Sequence, residues 1–317
     1  MSITLVTGST GHLGEALVRT LRAGGREARG VDLLASPWTN VVGSIADREV
    51  VDRCMAGVGA VFHTATLHKP HVATHPRQAF IDTNITGTLN LLEAAVRVGV
   101  TAFVYTSTTS AFGDALTPPA GAPAAWITEA IAPVPKNIYG VTKVAAEDLC
   151  ALAHRNQRLA AVVLRTSRFF PEADDEPAAR AAYADTNLKV NELLHRRVDI
   201  EDVVSAHLAA CARAPAIGFG RYIISATTPL RREDLATLAR DAPAVVRARV
   251  AGWEEPYARL GWRMAPALDR VYDNARARAD LGWQPRHDFA SVVARIVAGG
   301  DVRSELARTI GSKGYHA

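Results

Sequence analysis

Tyr139 and Lys143, four residues apart in Tyr139-Gly140-Val141-Thr142-Lys143, are the side chains of this sequence whose types and spacing most suggest chemistry. Asn137-Ile138 leads through them into Val144-Ala145-Ala146-Glu147-Asp148-Leu149-Cys150 without a breaker, so a helix would set both on one face. A phenol titrates near ~10, and a cation within about 4–6 Å favours the phenolate. The pair would then be an acid/base poised near neutral pH. Two residues at this spacing carry little information alone, so their meaning rests on the elements that must hold them.

The first of these is Ile3-Thr4-Leu5-Val6-Thr7, a short apolar strand that enters Gly8-Ser9-Thr10-Gly11-His12-Leu13-Gly14 and then an amphipathic stretch, Glu15 to Arg22. Glycines three apart let the backbone turn sharply and approach a pyrophosphate, whose charge meets the amides at a helix N-terminus. A plain strand-to-helix turn would look similar. The next strand, Glu27 to Leu33, however, places Asp32 at its end. A carboxylate about 20 residues after such a loop accepts ribose hydroxyls and repels a 2′-phosphate, which favours NAD over NADP.

Asp47 opens a helical segment to Met55 and reads equally as an adenine contact or a helix cap. The strand Ala60-Val61-Phe62-His63 ends in Thr64-Ala65-Thr66, small residues suited to close approach beside a cofactor. In the following loop, His68, His71 and His75 have spacings that would suit a metal on a helix, but Pro70 opposes a regular helix and no carboxylate or thiol accompanies them. A polar loop at a substrate mouth is expected, and no metal.

Asn84 begins a long helix with a broad apolar face through Val96. The strand Thr101 to Thr106 runs into Thr106-Ser107-Thr108-Thr109-Ser110-Ala111-Phe112-Gly113, hydroxyls at the carboxyl end of a strand, where ligands bind in open α/β sheets. β-propensity accounts for the threonines as well. Residues 114–136 read as a loop over the site, and Leu159 to Arg165 as a further strand. This alternation calls for a doubly wound parallel sheet.

At 317 residues and 48% hydrophobic content the chain can bury a large core. Its net charge of +4 is scattered, so composition implies neither nucleic acid nor membrane as partner. Three cysteines without short spacing suggest neither disulfides nor zinc. No uncharged apolar run approaches the ~18–20 residues of a membrane span, and a strand beginning at Ile3 leaves no room for a signal segment. A soluble cytoplasmic protein is expected.

Taken together, Thr7 to Gly14, Asp32, Asn84 with Gly87-Thr88-Leu89-Asn90-Leu91-Leu92, Thr106 to Gly113, Tyr139 with Lys143, Arg197-Val198-Asp199-Ile200-Glu201-Asp202-Val203 and Asp280-Leu281-Gly282-Trp283-Gln284-Pro285 resemble the extended short-chain dehydrogenases/reductases of the NAD-dependent epimerase/dehydratase family. The resemblance implies an α/β, Rossmann-like domain over residues 1–166, with 198–226 and part of 287–300 returning to it. A small substrate lobe would comprise 167–197 and 227–286, and 303–317 would form a tail, disordered over Gly311-Ser312-Lys313-Gly314. It implies NAD as cofactor, held by Gly8, Thr10, Gly11, His12, Leu13, Gly14, Asp32, Asp47, Thr64, Ala65, Thr66, Asn84, Thr106, Tyr139, Lys143 and Ser167. Asn84 would act as a support.

Counting back five residues from Gly113, as the family pattern does, makes Thr108 the catalytic hydroxyl beside Tyr139 and Lys143. Thr108, Thr109 and Ser110 would face a small hydroxyl or carbonyl substrate, with Arg168, Arg197 and Arg263 as candidates for an anionic group. Sugar 4,6-dehydratases carry Asp-Glu after the catalytic Thr; Thr109 and Ser110 stand there, which disfavours dehydration. The segment between Arg165 and Asp202, with one helical stretch from about Pro177 to His195, is short for a nucleotide-sugar lobe, and Arg168 holds the expected Asn position. The expected function is an NAD-dependent oxidoreductase or epimerase of a sugar-like alcohol. Alternatives are a dehydrogenase of a non-sugar alcohol or a non-catalytic NAD-binding regulator. The family also implies a homodimer.

Overall fold

The computed structural model describes residues 2–314. Among the described residues nine strands form, β1 (Ile3–Thr7), β2 (Ala28–Asp32), β3 (Val41–Val42), β4 (Val58–His63), β5 (Ala102–Thr108), β6 (Ala125–Ile127), β7 (Ala161–Thr166), β8 (Phe219–Ile224) and β9 (Arg270–Tyr272). Seven of them make one sheet in the order β3-β2-β1-β4-β5-β7-β8, parallel throughout. Every residue of β5 and β7 is buried, as near-continuous apolar runs in a doubly covered parallel sheet require. The strand order reverses at β1 and β4, so the loops leaving their carboxyl ends diverge and open a crevice there.

Each face of the sheet carries helices whose apolar stripes match it. On one face Leu17 and Leu21 of the His12–Ala23 helix pack with Val203 and Ala206 of the Ile200–Ile217 helix. On the other, Val50, Leu91, Ala146 and Cys150 come from the helices Arg48–Met55, Gly87–Val98 and Ile138–Gln157. The last of these begins where the Asn137 side chain accepts from the Gly140 amide at 3.0 Å, and ends at Arg158 in the left-handed region.

A separate apolar cluster forms the small lobe, with Leu238, Val246, Trp253, Tyr257, Val271 and Phe289 at its centre. Three expectations change here. The helical stretch expected over 177–195 is two helices, Pro177–Ala182 and Asp185–Glu192, separated by the extended backbone of Tyr183. The helix Phe289–Val297, expected in part to return to the sheet, packs in the lobe, because Phe289, Val292, Val293 and Ile296 make one apolar stripe facing that cluster. The tail is ordered through Gly314: a Glu305–Ile310 helix buries Ile310 against the sheet-side core, and Ser312, Lys313 and Gly314 are hydrogen-bonded. The rest of the expected tail, 315–317, lies outside the described residues.

No described helix is long and apolar enough to cross a membrane. Asp202, 1% exposed, accepts the backbone amides of Arg286 and His287, each at 2.9 Å, and so ties the segment entering the Phe289–Val297 helix to the Ile200–Ile217 helix. Asp202→Ala should therefore cost about 2–3 kcal/mol by leaving buried amides unpaired, read as a lower urea midpoint at unchanged slope.

Candidate active site

The carboxyl ends of β1, β4, β5 and β7 open into one cavity of about 690 Å³. Its floor is the glycine loop. A Cβ at Gly14 would lie 1.9 Å from the Gly8 carbonyl oxygen, so turn and helix meet backbone to backbone and leave a cradle with no side chain in it. Gly8, Thr10, Gly11, His12, Leu13 and Gly14 all line the cavity. Asp32 stands at the end of β2, accepting from the Thr10 amide at 3.0 Å and the Leu34 amide at 3.1 Å. Thr64, Ala65 and Thr66 form the opposite wall because Thr7 anchors them: its hydroxyl accepts from the Thr64 and Ala65 amides, both at 3.0 Å.

Tyr139 and Lys143 both face this cavity from the Ile138–Gln157 helix, joined there by Thr106, Thr108, Thr109, Ser110 and Ser167. The Lys143 ammonium donates to the Thr106 carbonyl at 2.6 Å and sits 4.2 Å from the centre of the Tyr105 ring. Burial lowers its pKa to about 7, against the pull of the Glu147 carboxylate one turn on. Burial also pushes the Tyr139 phenol up to about 12, while a hydrogen bond with the Thr108 side chain acts in the other direction. This differs from the expected phenol made acidic by its lysine neighbour: burial disfavours charge on both groups, and the neutral-range value belongs to Lys143. Ser167 presents a buried hydroxyl with no hydrogen-bond partner, available to a ligand.

The β5 segment reaches these positions through Gly113, whose φ is +56° and where a Cβ would lie 1.9 Å from the Val134 carbonyl oxygen. There the strand exit and the chain entering the Tyr139 helix pass in contact, and Asp114 donates its amide to Val134 at 2.8 Å.

Four expected ligand contacts fall elsewhere, and a fifth residue, Arg168, lines the cavity with its charge already paired. Asp47 caps the Arg48–Met55 helix through the Glu49 amide at 2.9 Å and does not line the cavity; Ser44 and Ile45 do. Asn84 lies behind the wall in a π-helical turn, accepting from Leu67 and Thr66 and donating to Thr142 at 3.0 Å, so it supports the loop and the helix. Arg197 is buried and donates to the Phe170 carbonyl, held also by Glu192. Arg263 packs over the Tyr183 ring and does not line the cavity. Arg168 lines it but is engaged by Asp174, Glu192 and Asp175.

The cavity is also lined by Arg196, Arg270, Tyr272, Phe169 and Phe170, and by His68, His71 and His75. His68 is kept neutral by burial, its pKa lowered to about 3, and its ring lies 6.4 Å from that of Tyr139. The doublet Arg196-Arg197 was visible in the sequence; Glu192 pairs with both, and Arg197 is turned to the Phe170 carbonyl. No group of three or more metal-ligating side chains occurs among the described residues.

Comparison with known proteins places these features in context. Residues 4–223 match the family model described as the NAD dependent epimerase/dehydratase family. A 3-beta-hydroxysteroid dehydrogenase of Mycolicibacterium neoaurum is 28% identical over 89% of this chain and 86% of its own. A dTDP-glucose 4,6-dehydratase of Streptomyces antibioticus is 32% identical over 92% of this chain and 90% of its own. A short-chain dehydrogenase/reductase superfamily protein from Agrobacterium tumefaciens, solved with bound NAD, superposes with a TM-score of 0.65 at 23% identity, covering 94% of this chain and 98% of that one.

The buried lysine has a measurable signature. A lysine whose folded pKa is lowered opposes folding in full below about 7, and the penalty fades as pH rises toward the unfolded value near ~10.4. Lys143→Met should therefore gain thermal stability over the cofactor-free wild type at pH 6, with the difference shrinking steadily between pH 7 and 10. A difference in melting temperature that does not change with pH would refute the desolvated lysine.

Proposed function

Because the chain belongs to the NAD dependent epimerase/dehydratase family, we propose that it is an NAD-dependent oxidoreductase or epimerase of a secondary alcohol or ketone on a sugar or sugar-like substrate. The observation that carries this reading is convergence: Tyr139, Lys143 and Thr108 open onto the same cavity as the glycine cradle and Asp32. The glycine backbone cradle, the Asp32 carboxylate with its two amide neighbours and the unpartnered Ser167 hydroxyl fit a dinucleotide with free ribose hydroxyls. Bound NAD would supply hydride acceptance and return at nicotinamide C4.

The chain's own groups handle the proton. Thr108, bonded to Tyr139, holds the substrate oxygen beside the phenol. Tyr139 takes the hydroxyl proton as the alcohol is oxidised and returns it on reduction, while Lys143, in its protonated form, offsets the phenolate charge that burial disfavours. Lys143 can do so because the Thr106 carbonyl fixes its position at the base of the site. Thr109 and Ser110 supply no carboxyl group for eliminating water, which sets this chain apart from dehydration chemistry although one relative is a dehydratase. Apolar walls at Leu67, Leu116, Phe169 and Phe170 favour a second reading, net dehydrogenation of a less polar alcohol, in line with the hydroxysteroid dehydrogenase relative.

Tyr139→Phe should lower turnover by about 10²- to 10⁴-fold while NAD affinity changes little, since the phenol oxygen acts on the proton in transit. NADH absorbance against a panel of sugars, uronates and sterol-like alcohols supplies the rate, and equal turnover by the variant would refute the assignment. Exposed Val96, Val98, Val141 and Leu152 on the Gly87–Val98 and Ile138–Gln157 helices support a homodimer through these faces. Light scattering should give twice the monomer mass, and a charged residue at Val141 should halve it.

A further inference from the structure

We infer that the C-terminal segment is a retaining strap on the dinucleotide cleft, latched by Glu172, and that it controls how fast the cofactor leaves. This rests on the NAD reading above. A single carboxylate oxygen, Glu172 Oε1, lies 2.8 Å from His12 Nε2 and accepts from the Ser312 hydroxyl at 2.9 Å and from the Lys313 and Gly314 amides at 3.1 Å each. The Lys313 ammonium reaches Glu15 one turn into the glycine-loop helix. Three separate parts of the chain thereby close on one another: the first turn of that helix, the loop after β7, and the segment following the Glu305–Ile310 helix.

The closure borders the ligand space. Lys313 and Gly314 line the same cavity as Gly11, His12 and Leu13, so the strap forms part of the wall beside the cradle. It is anchored at its base by Ile310, buried against the glycine-loop helix and its neighbours. It also connects toward the reactive end, because the His12 ring meets Phe170 edge-on at 5.4 Å and Phe170 meets His68 at 5.5 Å, next to Tyr139. Burial would raise the Glu172 pKa, but the His12 hydrogen bond and its charge prevail and hold it at about 2, so the latch is a carboxylate throughout the physiological range.

Opening the strap breaks several hydrogen bonds to one ionised acceptor at once, which makes cofactor exchange slow compared with a bare cleft. Slow exchange suits a cofactor that is reduced and reoxidised within one visit of the substrate, as epimerisation needs. In a net dehydrogenase it would make cofactor release the limiting step.

The test is stopped-flow release of NADH, followed by its fluorescence on displacement with excess NAD, using the full chain. Glu172→Ala removes the shared acceptor, and Lys313→Glu, beyond the last helix, sets a carboxylate against Glu15 without touching the core. Both should release NADH at least about tenfold faster than wild type, a loss of about 1.4 kcal/mol from the barrier, with melting temperatures of the cofactor-free proteins unchanged for Lys313→Glu. Release rates of both variants within about twofold of wild type would overturn the strap while leaving the cofactor reading intact. A wild-type protein that binds no NADH at about 1 mM would overturn both.

Discussion

The buried bond from the Lys143 ammonium to the Thr106 carbonyl fixes how the reactive helix meets the sheet. It joins the Ile138–Gln157 helix to β5 just past the end of that strand's pairing with β4, where it still pairs with β7. Behind it stands a second layer of buried charge centred on Glu147. Glu147 accepts from Ser107 at 2.6 Å, from Arg165 at 2.7 Å and from Arg221 at 3.0 Å, with Arg165 and Glu147 almost without exposure. A buried ion pair of this kind is weak evidence for net stability, since desolvation offsets much of the attraction, but removing either partner would strand a charge. Its effect here is positional: it ties the Ile138–Gln157 helix to β5, β7 and β8 one turn on from Lys143.

The same division between paired and available polar groups organises the opposite wall. His63 bridges the Thr7 and Thr88 hydroxyls at 2.8 and 2.9 Å, and burial keeps it neutral, its pKa lowered to about 3. Thr7 in turn holds the amides of Thr64 and Ala65. Thr106 spends its hydroxyl on His207 at 2.7 Å, and Thr166 spends its own on the Ser107 carbonyl at 2.9 Å. Of the many hydroxyls at the strand ends, several therefore serve to hold the crevice open; Thr108 lines the cavity while accepting from the Ser110 amide at 3.0 Å, and the Ser167 hydroxyl is left without a partner.

Much of this was legible in the amino-acid sequence because it is encoded locally. The glycine spacing, the carboxylate closing β2 and the Tyr-Lys interval each depend on neighbours within one or two turns, and the structure places all of them around one cavity. What was not legible depends on partners far along the chain. Whether Arg168, Arg197 or Arg263 faces ligand is decided by Asp174, Glu192 and the Tyr183 ring, none of which spacing identifies. The fate of Asp47 was open because a carboxylate before a helix serves a cap and a ligand equally well. The acidity of Tyr139 was misjudged because proximity of a cation was weighed without the burial that both groups share. The ordered segment 312–314 owes its place to Glu172, with which it shares no sequence neighbourhood.

Gly113 shows how far such long-range dependence extends. Its missing side chain lets the backbone leaving β5 run against Val134, shortly before Asn137 starts the helix that carries the phenol. A methyl group there would shove the incoming chain sideways and swing the helix start with it, so an inert position governs the aim of a reactive one. Several residues that touch the cavity directly could be exchanged with less harm than this one, which reaches it with nothing at all.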